Sequence, residues 1–166
     1  MYGSGGNAMT HHCGVGNLAK NNIVHKSSFT SNHTITRMEV VCKTNYGDAL
    51  HQEYSHIQNI YLLDTIDEDT AFGNNFDTFE NTVYSQNLYW SPQDLQSSLY
   101  FSITPGNKKE VTWQEWNAEG RDVDSVWADP KFADSDHGLY TLANDSPAFD
   151  LGIQQIDLDN FGIQKN

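Results

Sequence analysis

Short apolar runs separated by Asn, Asp, Ser and Thr fill residues 23–104. Their length suits strands, not helices. Three runs share a local form: Asn21-Asn22-Ile23-Val24, Gln58-Asn59-Ile60-Tyr61-Leu62 and Gln86-Asn87-Leu88-Tyr89-Trp90. In each, an asparagine immediately precedes a β-prone stretch. Asn22, Asn59 and Asn87 are separated by 37 and 28 residues, an irregular spacing of the kind that repeats with variable loops produce. Tyr54-Ser55 and Tyr84-Ser85 add an echo near the same phase of the second and third copies.

A parallel β-solenoid accounts for this pattern. Each coil buries apolar side chains on its neighbours, and asparagines at equivalent turns can stack with their amides hydrogen-bonded in a ladder. The core of such a stack is narrow, so it needs few apolar residues. The competing architecture is an antiparallel β-sandwich with Asn-rich turns.

From Val111 onward the texture changes. Thr112-Trp113-Gln114-Glu115 has the form of a capping box, and Gly120 follows where a two-turn helix would stop, which predicts a helix over 113–119. A strand is expected in Gly138-Leu139-Tyr140-Thr141-Leu142. This block does not repeat the earlier unit. It therefore divides the chain into coils over 1–110 and a capping segment over 111–166 that covers an open apolar end and its strand edge.

Composition narrows the partners. Of 166 residues, nine are Lys or Arg and 22 are Asp or Glu, a net charge of −13. That sign disfavours nucleic acid and an anionic membrane surface. Apolar residues make up only 37% of the chain, yet aromatics make up 12%, which marks a chain that folds. No stretch reaches the roughly 18 apolar residues of a membrane helix, and the first residues do not form an export signal. Cys13 and Cys42 are too few for a disulfide scaffold, and either a single bridge or two inert buried thiols would fit them.

The terminal block resembles that of right-handed parallel β-helix repeat proteins of the pectin-lyase-like superfamily. The motifs that carry this are Glu115-Trp116-x-x-x-Gly120-x-Asp122, Asp124-Ser125-Val126-Trp127-Ala128-Asp129-Pro130-Lys131-Phe132, Gly138-Leu139-Tyr140-Thr141-Leu142 and Asp145-Ser146-Pro147-Ala148-Phe149-Asp150-Leu151-Gly152-Ile153. Upstream, Gly14-x-Gly16-Asn17 with Asn21-Asn22-Ile23-Val24, and Asn87-Leu88-Tyr89-Trp90, resemble its coil strands. The segment 64–82 has no counterpart. The resemblance implies an all-β fold made of the last coils of a β-helix plus its cap, without the N-terminal coils. It also implies an extracellular or cell-surface setting and action on carbohydrate as a hydrolase or lyase. The chain alone is expected to be inactive, because missing coils would build much of a long groove. An uncovered first coil is expected to promote end-to-end association.

In that superfamily the chemistry lies on an outward sheet face. The best local match is Ile35-Thr36-Arg37-Met38-Glu39-Val40-Val41-Cys42, where strand alternation puts Arg37 and Glu39 on one face. Arg37 could hold a uronate carboxylate and Glu39 could act as general acid or base; a surface ion pair is the plainer reading. Of the adjacent His11 and His12 only one can join a given face, and His12 is the candidate proton carrier. Glycoside hydrolysis needs two carboxylates roughly 5 to 10 Å apart, for which Glu39, Glu53, Asp77 and Glu80 are available. Trp90, Tyr89 and Tyr100 could stack on sugar rings, or pack inward.

No cofactor is expected. Calcium is the one ion that Asp64-x-x-Asp67-Glu68-Asp69 could take, although a solvated acidic loop explains it as well. Asn32-His33-Thr34 and Asn144-Asp145-Ser146 fit the glycosylation sequon. With a charge of −13, a neutral glycan suits the surface better than a strongly anionic one. The alternative function is a non-catalytic β-helix module for sugar binding, adhesion or capping.

Overall fold

Asn21, Gln58 and Gln86 have positive φ angles of 54°, 56° and 54°, and at each of them the chain leaves one strand and starts another. The structure is a computed structural model that describes residues 9–11, 16–26, 36–38, 54–63, 72–73, 82–92, 99–104 and 107–157. Side chains are described over 16–25, 55–63, 83–92 and 112–157.

The first pass comprises β1 (Met9–His11), β2 (Asn17–Lys20) and β3 (Ile23–Lys26). The second comprises β4 (Thr36–Met38), β5 (Tyr54–Ile57) and β6 (Ile60–Leu63). The third comprises β7 (Phe72–Gly73), β8 (Thr82–Ser85) and β9 (Leu88–Trp90). They are followed by β10 (Leu99–Thr104), β11 (Asn107–Val111), the helix α1 (Trp113–Ala118) and β12 (Val126–Trp127). Successive strands fall into three sheets in rotation, ordered β1-β4-β7-β10-β11, β2-β5-β8 and β3-β6-β9-β12. All neighbours in these sheets pair in parallel except β10 and β11, which are antiparallel. The described residues are thus mostly strands in parallel sheets with little helix, an all-β chain. The parallel pairing rules out the antiparallel sandwich for this part of the chain.

The sheet containing β6 is buried on both faces, as a parallel sheet requires. One face presents the row Val24, Tyr61, Tyr89 and Trp127. Tyr61 stacks on Tyr89 at 5.1 Å and Tyr89 on Trp127 at 6.4 Å. His56 and Tyr84, from neighbouring positions of β5 and β8, stack at 4.9 Å and are also buried. The opposite face presents Ile23, Ile60, Leu88 and Val126 in register. Leu142, Ala148, Leu151 and Ile153 close over that row together with Phe132. Each large aliphatic side chain buried there contributes about 1.5–3 kcal/mol of transfer free energy.

The segment after β11 divides its covering role. Thr112 and Glu115 form both bonds of the capping box at the start of α1, and the Gly120 N–H donates to Asn117 O at 2.9 Å just beyond its end. The predicted helix is therefore present, over 113–118. Its Trp116 meets Tyr84 of β8 edge-on at 6.1 Å, and the Arg121 guanidinium lies over the same indole ring at 5.2 Å from its centroid. The hairpin β13 (Phe132–Asp134) and β14 (Leu139–Leu142), with the tail behind it, lies along the flank of the β3-β6-β9-β12 sheet. The tail reaches the first corner, where the Gln154 N–H donates to Asn21 Oδ1 at 2.7 Å and Asn21 Nδ2 donates back to Gln154 O at 3.2 Å.

One expected correspondence is displaced. Tyr84-Ser85 is in register with His56-Ile57, not with Tyr54-Ser55. The corner asparagines set this register, and Ser55 lies four residues before Asn59 whereas Ser85 lies two before Asn87. Among the described residues no helix is long and apolar enough to cross a membrane.

Candidate functional site

The three corner asparagines form the expected ladder. Asn22 donates from both its backbone N–H and its Nδ2 to Asn59 Oδ1, each at 3.0 Å. Asn59 repeats the pair toward Asn87 Oδ1, at 2.9 Å from the backbone and 3.2 Å from Nδ2. The second amide hydrogen goes to a carbonyl: Asn59 Nδ2 reaches Ala19 O at 3.0 Å, and Asn87 Nδ2 reaches His56 O at 2.8 Å. Asn59 and Asn87 are both 0% exposed, so these groups have no water to fall back on.

The ladder ends at a carboxylate. Asn87 donates its backbone N–H to Ser125 Oγ at 2.6 Å and its Nδ2 to Asp122 Oδ1 at 3.3 Å. Ser125 Oγ donates to the same oxygen of Asp122, and Tyr89 OH donates to Oδ2 at 2.5 Å. The Trp116 indole also hydrogen-bonds this carboxylate. Burial raises the Asp122 pKa above the ordinary carboxylate value, and the donors from Ser125, Tyr89, Asn87 and Trp116 pull in the other direction without cancelling it. The Tyr61 and Tyr89 phenols are pushed up, mainly by burial and in part by Asp122, and so stay protonated as donors. Tyr61 OH extends the network to His56 Nδ1 at 3.1 Å.

A carboxylate surrounded by donors and aromatic rings could serve as an acid or base only if a substrate reached it. Asp122, Tyr89, Tyr61 and His56 are all buried. Their chemistry is the satisfaction of polar groups inside the sheets. In the sequence Asp122 belongs to the terminal motif and to the acidic pair Asp122-x-Asp124, expected to make turn and helix-end hydrogen bonds; its place at the end of the ladder is hidden, since a carboxylate and a serine share no residue type with the asparagines they follow.

Of the residues proposed to face a polysaccharide, Tyr89 belongs to this buried network. Arg37 lies at the centre of β4, in register with Thr10 of β1, and β4 is placed between β1 and β7. His11 is in register with Met38. His12, Glu39, Glu53, Asp77, Glu80, Cys13, Cys42, the acidic loop 64–69 and the sequon at Asn32 lie outside the described residues. Of the aromatic candidates, Tyr100 lies on β10. Tyr89 is 2% exposed and stacked between Tyr61 and Trp127, so it offers no ring face for a sugar. Trp90 is half-buried and packs against the cluster under the C-terminal tail. Both follow from a sheet covered on two sides, where strand alternation sends neither parity to solvent.

Among the described residues no group of three or more His, Cys, Asp or Glu side chains converges as a metal site. The chain matches no family model, no curated protein and no solved structure.

Proposed function

We propose that the chain is the C-terminal part of a right-handed parallel β-helix that acts on extracellular carbohydrate as a hydrolase or lyase. The observation that carries this reading is the rotation of successive strands through three sheets, joined at one corner by the Asn22–Asn59–Asn87 ladder. Such a stack sets residues of successive passes side by side. The sheet of β1, β4, β7 and β10 is then the face along which a glycan chain runs. Arg37 binds the substrate, Glu39 is the general acid or base and His12 carries a proton. A net charge of −13 supports a neutral glycan as substrate.

The test is a glycan array probed with the full-length parent protein, in which the missing coils complete the groove, followed by product analysis on any ligand found. The enzyme reading expects binding to a neutral glycan and product formation that Glu39→Gln abolishes. Binding without product would replace it with the sugar-binding module, and absence of both would overturn it.

A further inference from the structure

The segment that covers the β3-β6-β9-β12 face, residues 132–157, keeps its backbone to itself. Among the described residues β13 pairs only with β14, and the turns behind them close locally, with Ser146 N–H on Ala143 O, Phe149 N–H on Ser146 O, Gly152 N–H on Phe149 O and Ile153 N–H on Ala148 O. Its described polar ties to the stack run through side chains of the first two passes. Asn21 holds Gln154, Gln58 Nε2 donates to Leu151 O at 3.0 Å, and His25 Nδ1 lies 2.7 Å from Tyr140 OH, pairs separated by 133, 93 and 115 residues of chain. The apolar ties are Leu142, Ala148, Leu151 and Ile153, packed on Ile60 and Leu88. None of these contacts depends on the strap and the stack belonging to one chain.

The join between them is short and strained. Residues 128–131, Ala-Asp-Pro-Lys, run from β12 to β13. Asn21, Gln58, Gln86 and Asp122 take positive φ at the corners of the stack; the other non-glycine residue that does so among the described ones is Lys131, at 55°. A lysine in the left-handed region is strained, and what holds it there is local. Its N–H donates to Asp129 Oδ1 at 2.8 Å, and its Nζ meets Asp145 Oδ2 at 2.6 Å in an exposed ion pair that water weakens. Pro130 meanwhile biases Asp129 toward extended backbone, the conformation that an opened hinge needs.

We propose that residues 132–157 are exchanged between two copies of this chain, each strap lying on the stack of the other, with residues 128–131 as the hinge. Exchange keeps every contact of the strap, so the complementarity of the interface is the one seen within a single chain. It also lets each Lys131 leave its left-handed turn, a gain that the closed chain lacks. The reciprocal pair leaves neither apolar row bare. A net charge of −13 on each copy opposes their approach, so the pair is favoured where salt screens that repulsion.

The test is sedimentation of the native chain and of Lys131→Gly over a concentration series at physiological salt, after warming to let the straps exchange. The expected result is a dimer fraction that rises with concentration, and a dimer weakened about fivefold or more by Lys131→Gly, because glycine removes the strain that exchange relieves. In a second arm, chains labelled with light and heavy nitrogen and carrying Asn21→Cys, Gln154→Cys, Cys13→Ser and Cys42→Ser are mixed, warmed, oxidised and digested. Exchange predicts that the dimer yields disulfide-linked peptides of mixed isotope. A native chain that stays monomeric throughout, a dimer as strong with Lys131→Gly, or a dimer whose links are all of one isotope would each overturn the proposal. The sedimentation arm decides alone if the cysteine variant does not fold.

Discussion

Ser125 accepts from the backbone N–H of Asn87, at 2.6 Å, the hydrogen bond that an asparagine carboxamide accepts in each of the two preceding passes. The hydroxyl fills only half of that role. Asp122, three residues upstream, takes the amide hydrogen and anchors the hydroxyl in turn. Serine and aspartate together do what one further asparagine would do, and they end the series because neither presents an amide to continue it.

Loss of a ladder side chain should cost most where water is excluded. Asn59→Ala leaves the Asn22 N–H and the Ala19 carbonyl without their partner and opens a small cavity, for an expected loss of about 2–4 kcal/mol. Asn22→Ala, at the half-buried end, should cost about 1 kcal/mol. Urea unfolding of the two variants measures both, and equal losses would contradict a cost set by burial.

The carboxylate at the end of the ladder predicts a pH dependence. The folded-state pKa of Asp122 is raised, so the native state holds the proton more tightly than the unfolded chain does. Burial of the charge therefore costs nothing below the ordinary carboxylate value. Stability falls as pH rises from there to the raised value. The urea midpoint of the native chain, relative to Asp122→Asn, should decline across that window and be level above it. The exposed Asp134, His137 and Asp145 shift equally in both proteins and cancel. A flat difference would show that the four donors fully compensate for burial.

Gly152 tests how the tail is held. Its φ is +78°, and an added Cβ would come within 2.6 Å of Gln58 Nε2, which donates to Leu151 O at 3.0 Å and to Gln86 Oε1 at 3.1 Å. Gly138 has nearly the same φ, +77°, with nothing within 4 Å of such a Cβ. Gly138→Ala should cost only the left-handed penalty of roughly 1 kcal/mol. Gly152→Ala should cost about twice that. Thermal unfolding of the pair separates the backbone cost from the displaced glutamine.

The cap of α1 allows a smaller, local test. Thr112→Ala removes the oxygen that accepts the Glu115 N–H at 3.1 Å and should destabilise the chain by about 1 kcal/mol. Thr112→Ser should restore most of it, as measured by urea unfolding.

The corner asparagines made the stacking legible in the sequence, because a side chain that bonds its own copies must recur at one structural position. Thr112 and Glu115 announced α1 for a similarly local reason. What followed from long-range packing was hidden. Alternation along β9 cannot tell whether Tyr89 or Trp90 faces solvent when the C-terminal tail covers the second face of the sheet. Nor does any local signal pair Gln154 with Asn21, 133 residues away. The terminal motif was visible as a covering segment, but only the packing of Leu151 and Ile153 shows that much of it lies along the side of the stack. Arg37 was legible only as a strand residue, which β4 confirms.

The clasp between Asn21 and Gln154 also dictates an order of events during synthesis. The first corner cannot make its last contacts until residue 154 has been translated and has cleared the ribosome. Early passes must therefore wait with the Ile23, Ile60 and Leu88 row uncovered, and completion of the flank is a late, high-contact-order step. Chains that stall before residue 148 would carry that apolar row to solvent, which makes the tail the element that separates a finished protein from an aggregation-prone one.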